Sequence, residues 1–265
     1  MKFDKKSKTY SVPIIKGRGG QKRVLIGTPM RGVLRAEWAM ARWGQIIPCN
    51  WSQTDHIHWV NSFAPIEHEI ANAQNIIVKA FIENNFEWLL LLEDDVILPP
   101  NALVIYNEYM RKCKIPIVSG LYCTKSSPPE PLIFRGRGNS FYSDWKLGDK
   151  VWCDGVPTGC LLIHNSILRE VWNISREYNA GGIITREVFK FPQNVFYDPE
   201  TLCIQKESGT SDLFFCETVM KKGIFEKAGW SRFQKMKYPF LVDTRICCKH
   251  ITLDGKQYPL PEEPW

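Results

Sequence analysis

Phe86-Glu87-Trp88-Leu89-Leu90-Leu91-Leu92-Glu93-Asp94-Asp95-Val96-Ile97-Leu98-Pro99-Pro100 is the stretch on which the fold turns. Five apolar residues, Trp88 to Leu92, run without polar alternation into three carboxylates. A short unbroken apolar run suits a strand buried on both faces, and by periodicity alone a buried helix segment fits it as well. Its shortness and the Pro99-Pro100 stop decide for the strand. Ligands of open α/β sheets lie beyond the carboxyl ends of the strands, which is where Glu93, Asp94 and Asp95 then stand. If extended geometry continues through them, Glu93 and Asp95 point the same way. Adjacent carboxylates taken out of water need a cation beside them. Hard oxygen donors of this kind suit Mg²⁺ or Mn²⁺, with water and a substrate phosphate completing the shell. The plain alternative is a solvated acidic turn.

Working outward, Arg23-Val24-Leu25-Ile26 reads as a first buried strand broken by Gly27-Thr28-Pro29. A strand ending in a small-residue turn is where α/β folds first meet a nucleotide. There is no G-x-G-x-x-G and no Walker sequence, so the usual dinucleotide and P-loop readings fail. Residues 33–44 read as a helix, Ile46-Ile47-Pro48-Cys49 as a second strand, and 52–64 as irregular. Residues 66–85 read as a long helix opened by Pro65, with Ile66, Ile70, Ala73, Ile77, Ala80 and Phe81 at the spacing of a buried face. Asn72, Gln74 and Asn75 interrupt that face. A helix over 102–112 follows the acidic motif, then a strand over 115–123 with Gly120 near its end.

The stretch 124–150 reads as a long polar loop, and Val156-Pro157-Thr158-Gly159-Cys160-Leu161-Leu162-Ile163 as a small-residue turn feeding another strand. Asn165-Ser166 caps a helix over 167–174. Residues 176–206 read as an irregular insertion around Gly181-Gly182. Asp212 opens a helix that runs to Lys222 and stops at Gly223. An acid is favoured at that helix end by capping and by the dipole. A last strand, or pair of strands, covers 238–250 and ends in His250.

Composition sets outer bounds. A 265-residue chain with 44% hydrophobic and 23% charged residues is ordinary for a globular protein. No run reaches the roughly 18 apolar residues of a membrane span, and no apolar core follows the basic N-terminus as in a signal peptide. The nine cysteines are odd in number, irregularly spaced and without Cys-x-x-Cys. That pattern points to buried thiols in a reducing, cytoplasmic setting, not to a disulfide framework or a zinc site. The net charge of +6 permits an acidic partner without demanding one.

Leu91-Leu92-Glu93-Asp94-Asp95-Val96 before Pro99-Pro100 resembles the DxD region of GT-A glycosyltransferases, particularly the family-2-like bacterial and viral ones. The resemblance runs in order over about residues 23–250. It takes in the first strand, the polar helix with Ala73-Gln74-Asn75, the acidic motif, and the Gly120 strand. It continues through the Thr158-Gly159-Cys160 turn, Gly209-Thr210-Ser211-Asp212 and the closing His250. It implies a Rossmann-like GT-A α/β domain over 21–255, with a mostly parallel central sheet flanked by helices. A basic tail, 1–20, and an extended tail, 256–265, lie outside that domain.

The function implied is metal-dependent transfer of a sugar from a UDP- or GDP-sugar to an acceptor hydroxyl. Carried over by motif, Asp95 and His250 hold Mn²⁺ or Mg²⁺. Gly27, Thr28, Pro29, Asn75, Glu93, Asp94, Thr158 and Gly159 line the nucleotide-sugar. Asp212 is the general base, which implies inversion. Glu93 departs from the usual Asp, Ser211 from the usual Glu, and the family's Arg before Asn75 is Gln74 here. A basic surface on such an enzyme makes a nucleic-acid base a candidate acceptor beside a glycan. Two competing readings stand. One is a nucleotidyltransferase, which shares the paired acids and metal. The other is a nucleic-acid-binding protein without transferase activity, supported by the charge and the ten tryptophans.

Overall fold

The computed structural model describes residues 2–4, 9–11, 22–47, 60–136, 141–198 and 203–259. Near the N-terminus, β1 (Lys2–Asp4) and β2 (Thr9–Ser11) pair antiparallel. The central sheet begins with β3 (Lys22–Gly27), followed by α1 (Ala36–Trp43), β4 (Val60–Phe63) and α2 (Ile70–Glu83). Then come β5 (Phe86–Leu92), the short β6 (Val96–Ile97), α3 (Ala102–Lys112) and β7 (Ile117–Leu121). β8 (Lys150–Cys153), β9 (Cys160–His164) and α4 (Asn165–Ile174) follow. Two hairpins come next, β10 (Glu177–Ala180) with β11 (Ile183–Arg186) and β12 (Gln193–Asp198) with β13 (Cys203–Ser208). The chain closes through α5 (Ser211–Lys221), α6 (Ile224–Lys227), α7 (Ser231–Gln234), β14 (Phe240–Cys247), β15 (Lys249–Ile251) and β16 (Gln257–Tyr258).

The seven-stranded sheet has the order β4-β3-β5-β9-β7-β14-β8. β4, β3, β5, β7 and β14 share one direction, and β9 and β8 oppose them. This is a mostly parallel α/β sheet flanked by helices. β5 lies inside it, between β3 and β9, and every residue from Trp88 to Leu92 is at most 1% exposed. Successive side chains alternate between two cores. Leu89 and Leu91 pack with Ile76, Ile77 and Phe81 of α2 and Ile167 of α4. Trp88, Leu90 and Leu92 pack with Trp38 of α1 and Leu103, Tyr106 and Met110 of α3. Helices on both faces are the reason the run shows no polar alternation. Truncating one of these leucines to Ala removes about 2–5 kcal/mol.

Several boundaries differ from the sequence reading. Of the second strand read over 46–49, Ile46 and Ile47 are irregular and residues 48–59 lie outside the described residues, while β4 forms at Val60–Phe63 inside the stretch read as irregular. β4 takes a parallel place beside β3. The long helix starts at Ile70, capped by the Glu69 side chain accepting from Asn72 N, and not at Pro65. Ile66, read as part of its buried face, is 51% exposed and forms a bridge with Met30. The segment 176–206, read as irregular, holds the first hairpin and all but the last two residues of the second. Gly181 and Gly182 sit at φ 61° and 94° as the two-residue turn of β10–β11, the conformation a Gly-Gly pair supplies in a tight hairpin. Cys123, Cys153, Cys160, Cys216 and Cys248 are buried, but Cys113 and Cys203 are exposed. Among the described residues no helix is long and apolar enough to cross a membrane.

Candidate functional site

The acidic motif lies at the carboxyl end of β5 and is folded as a turn, with Val96 N donating to Glu93 O at 3.2 Å. Extended alternation therefore does not continue through it, and the three carboxylates part toward different partners. Trp38 Nε1 of α1 donates to Glu93 O and fixes the turn from one side. Glu93 N donates to Gly159 O and fixes it from the other.

Asp94 is buried and turns toward the loop after β3. It accepts from Arg31 N at 3.0 Å and from Arg31 Nη2 at 3.1 Å. Read from sequence as facing the nucleotide, Asp94 instead clasps the loop that starts at Gly27-Thr28-Pro29. In that loop Thr28 N donates to Phe63 O. Gly27 lies against Ile77, where any side chain would overlap the helix. Thr28 and Pro29 are buried at the strand end, and Arg31 is the residue this loop exposes beside the acids.

Glu93 accepts from Thr158 Oγ1 at 2.9 Å, and Thr158 Oγ1 accepts from Gln74 Nε2 at 3.0 Å. Burial, together with the nearby charges of Asp95 and Asp212, pushes the Glu93 carboxyl up to about 8, against the pull of Thr158. Gly159 lies where a side chain would overlap Tyr122, whose hydroxyl accepts from Gly159 N at 3.0 Å. That close approach is what seats the Thr158 turn against the motif.

Asp95 faces three basic side chains. Lys125 Nζ is 2.6 Å and Arg31 Nη2 3.4 Å from its Oδ2. His250 Nε2 is 3.5 Å from Oδ1. Burial opposes its ionisation, but His250 and Lys125 outweigh burial and hold the carboxyl at about 2. Oδ1 is buried without a hydrogen-bond partner. His250 reaches this place because β15 pairs antiparallel with β6, setting His250 against Val96, while Ile251 N donates to Asp95 O. Its Nδ1 lies 2.9 Å from the carbonyl of Cys123, which only accepts, so Nδ1 is the donor and Nε2 is the face offered to Asp95.

Asp212 lies in the first turn of α5, where Thr210 is the capping position. Its Oδ1 accepts from Leu213 N at 2.8 Å. Burial raises its pKa against the hydrogen bonds from Thr210 and Leu213. α5 packs on the segment that leads into Thr158, with Val156 N donating to Cys216 Sγ and Leu213 lying against Gly155, and the Asp212 charge raises the pKa of Glu93 and Tyr122.

Asn75 is not part of this mouth. It is fully buried, its Nδ2 donating to Tyr178 Oη and Phe189 O and its Oδ1 accepting from Phe189 N. It ties α2 to the segment after α4. Gln74, one residue earlier, is the polar group of α2 that reaches Thr158. Arg31 and Lys125 also went unread. Their only signal was basic side chains just past strands that end on the same sheet edge as the acids.

Among the described residues no group of three or more His, Cys, Asp or Glu side chains is placed to hold a metal. The pair Asp95 Oδ1 and His250 Nε2 does fit one. Asp95 Oδ1, which has no hydrogen-bond partner, lies 3.5 Å from His250 Nε2, a little wider than the roughly 3 Å between neighbouring donors of an octahedral ion at about 2.0–2.2 Å, so a small side-chain shift brings both onto one cation once Nε2 is unprotonated. The Nδ1 bond to a carbonyl is how ligating histidines are oriented. A hard cation held by one carboxylate and one imidazole leaves most of its positions for water and phosphate.

No protein-family model matches the chain, and no curated protein matches it. Solved structures do. A197 from STIV superposes with a TM-score of 0.52 at 13% identity over 87% of this chain and 86% of that one. That extent shows a shared fold. A glycosyltransferase involved in the glycosylation of the major capsid of PBCV-1 matches with a TM-score of 0.29 at 17% identity, over 57% of this chain and 66% of its own. A Bacillus anthracis protein assigned as a glucose-1-phosphate thymidylyltransferase matches with a TM-score of 0.35 at 10% identity, over 59% and 76%. Both of these superpositions are partial, and the functional reading rests on the site.

Proposed function

We propose that this chain is a glycosyltransferase that moves a sugar from a nucleoside diphosphate sugar to an acceptor hydroxyl. The observation that carries the reading is the meeting of Asp95, His250, Glu93, Thr158 and Asp212 at the carboxyl end of β5, from segments far apart in sequence. That is where an open α/β sheet binds its ligand.

Asp95 and His250 would hold the divalent cation, which when bound neutralises the diphosphate as it leaves. The other roles belong to the chain itself. Arg31, fixed to Asp94 through its own backbone N–H, would offer its guanidinium to the donor's phosphate. Thr158 and Gln74 hold the Glu93 carboxyl in one orientation for a donor hydroxyl. Asp212, partly desolvated and raised in pKa, is suited to take the proton from the acceptor hydroxyl as it attacks the anomeric carbon. Attack assisted by a carboxylate with no covalent intermediate inverts the anomeric centre.

Calorimetric titration of UDP, GDP and their sugars, with Mn²⁺ or with EDTA, tests the reading. Metal-dependent binding of one nucleotide family to the wild type, lost in Asp95→Ala, is the expected result. No binding of any of them in either condition overturns it.

A further inference from the structure

Asp95 carries more positive charge than one carboxylate needs. Lys125 Nζ lies 2.6 Å and Arg31 Nη2 3.4 Å from Oδ2, while Oδ1, toward His250, has no hydrogen-bond partner. The two sides of the carboxylate therefore differ: one is taken by ammonium and guanidinium groups, the other is left open.

The two cations are held differently. Arg31 is fixed, since its backbone N and its Nη2 both bind Asp94. Lys125 has Asp95 as its ion-pair partner among the described residues. It sits on a loop whose backbone is tied in place. Thr124 N donates to Glu130 O, Glu130 N donates back to Thr124 Oγ1, and Cys123 bridges to Pro131. The Lys125 side chain is 28% exposed. A firm backbone bearing a long, partly exposed stem leaves the ammonium free to change partner.

Charge balance says what that partner is. A divalent cation entering beside Asp95 meets the ammonium already there, and like charges this close repel strongly outside bulk water. Asp94 and Asp95 balance Arg31 and Lys125, and Asp212 adds one negative charge, so an added dication still leaves an excess of about one positive charge. A diphosphate cancels that excess, and its oxygens accept from an ammonium as a carboxylate does.

We propose that Lys125 is an exchange cation: it occupies Asp95 in the empty site and passes to the diphosphate of the incoming nucleotide, so that donor and metal bind cooperatively. This rests on the glycosyltransferase reading above and adds an order to it. The metal binds weakly until a nucleoside diphosphate withdraws Lys125 from Asp95, and the site does not hold a catalytic ion without its donor.

Mn²⁺ binding followed by electron paramagnetic resonance, alone and with UDP or GDP, gives a readout independent of turnover. In Lys125→Ala, Mn²⁺ alone binds several-fold more tightly, while the nucleoside diphosphate in the presence of Mn²⁺ binds about tenfold more weakly. Affinity for the nucleoside without phosphates stays unchanged. Lys125→Arg restores diphosphate binding. A merely structural lysine would move both affinities in the same direction. If the wild type binds Mn²⁺ and diphosphate but both respond alike in Lys125→Ala, or neither responds, the exchange is wrong and the glycosyltransferase reading stands. If the wild type binds no nucleotide with or without Mn²⁺, both fall together.

Discussion

Asp243 and Asp95 are both acids beside an arginine, and they are solvated by the protein in opposite ways. Asp243, on β14, is fully buried, and both of its oxygens are bonded. Tyr109 Oη donates at 2.5 Å, Arg245 Nη2 at 2.6 Å, Arg245 Nε at 3.0 and 3.1 Å, and Arg245 N at 3.1 Å. Burial works against its charge, but Arg245 and Tyr109 overcome it and lower the pKa. Arg245 then turns its remaining donors to Glu108 on α3. Asp95 has one oxygen crowded by cations and the other without a bond. The first arrangement is closed and joins α3 to β14. The second is open and has a place for a ligand. A buried acid whose bonds are complete is a structural device, and one left half complete marks chemistry.

That contrast is broken most directly at Asp243. Asp243→Ala leaves a guanidinium and a phenol without their shared acceptor, and we expect it to lower unfolding free energy by about 3 kcal/mol in urea titration. Nucleotide binding per folded molecule stays intact. Asp95→Asn does the reverse: it lowers stability by less, about 2 kcal/mol, because the carboxylate held at about 2 is lost while Arg31 keeps Asp94 and Lys125 can turn to water, and metal-dependent nucleotide binding disappears. A large stability loss at Asp95 with none at Asp243 would erase the distinction.

On the open side, Asp212→Asn keeps its volume and its bond from Leu213 N. Donor affinity measured by calorimetry should match the wild type, while transfer falls by about 10²–10⁴-fold, the contribution of a general base. Loss of donor affinity instead would make Asp212 a binding residue.

Glu93 sharpens the comparison through pH. Its folded pKa lies near 8 against an ordinary 4.5, so between these values the native state keeps a proton that the unfolded state has lost. Stability from this group is full below about pH 4.5 and drains away as pH rises toward about 8. Glu93→Gln keeps the Thr158 contact without the titration. Its melting temperature should exceed the wild type's at about pH 8 by the equivalent of roughly 2–4 kcal/mol and converge with it toward acid. Curves that run parallel across that range would show Glu93 ionised in the native protein. The smallest effect is expected at Gln74, whose Oε1 has no partner. Gln74→Leu should shift stability by no more than about 1 kcal/mol and lower transfer several-fold, as Thr158 and Glu93 lose their orientation.

How far the site could be read beforehand depended on what each residue does. Trp88 to Leu92 announced a strand covered on both faces because every side chain of such a strand is buried. Gln74 and Asn75 could not be told apart. Neighbours on a helix point about 100° apart, and the pattern of buried positions does not say which direction holds the ligand. Asn75 went to the segment carrying Tyr178 and Phe189, and Gln74 to Thr158. The hairpins at 177–208 were hidden for a related reason. Their pairing is with each other and not with the main sheet, so no long apolar run marks them.

The sequence by itself determined the α/β class, the strand that ends in three carboxylates, and the residue types that suit a cation and a phosphate. Burial and periodicity are local, and they are written in local pattern. Only the tertiary structure decided that Asp94 serves Arg31 while Asp95 serves the open mouth, that Asn75 is core, and that Lys125 is the cation on Asp95. Those outcomes depend on which loops meet at the sheet edge. His250, paired with Asp95 beforehand only through the resemblance, reaches it through the β6–β15 ladder, a contact whose separation along the chain leaves no spacing to read.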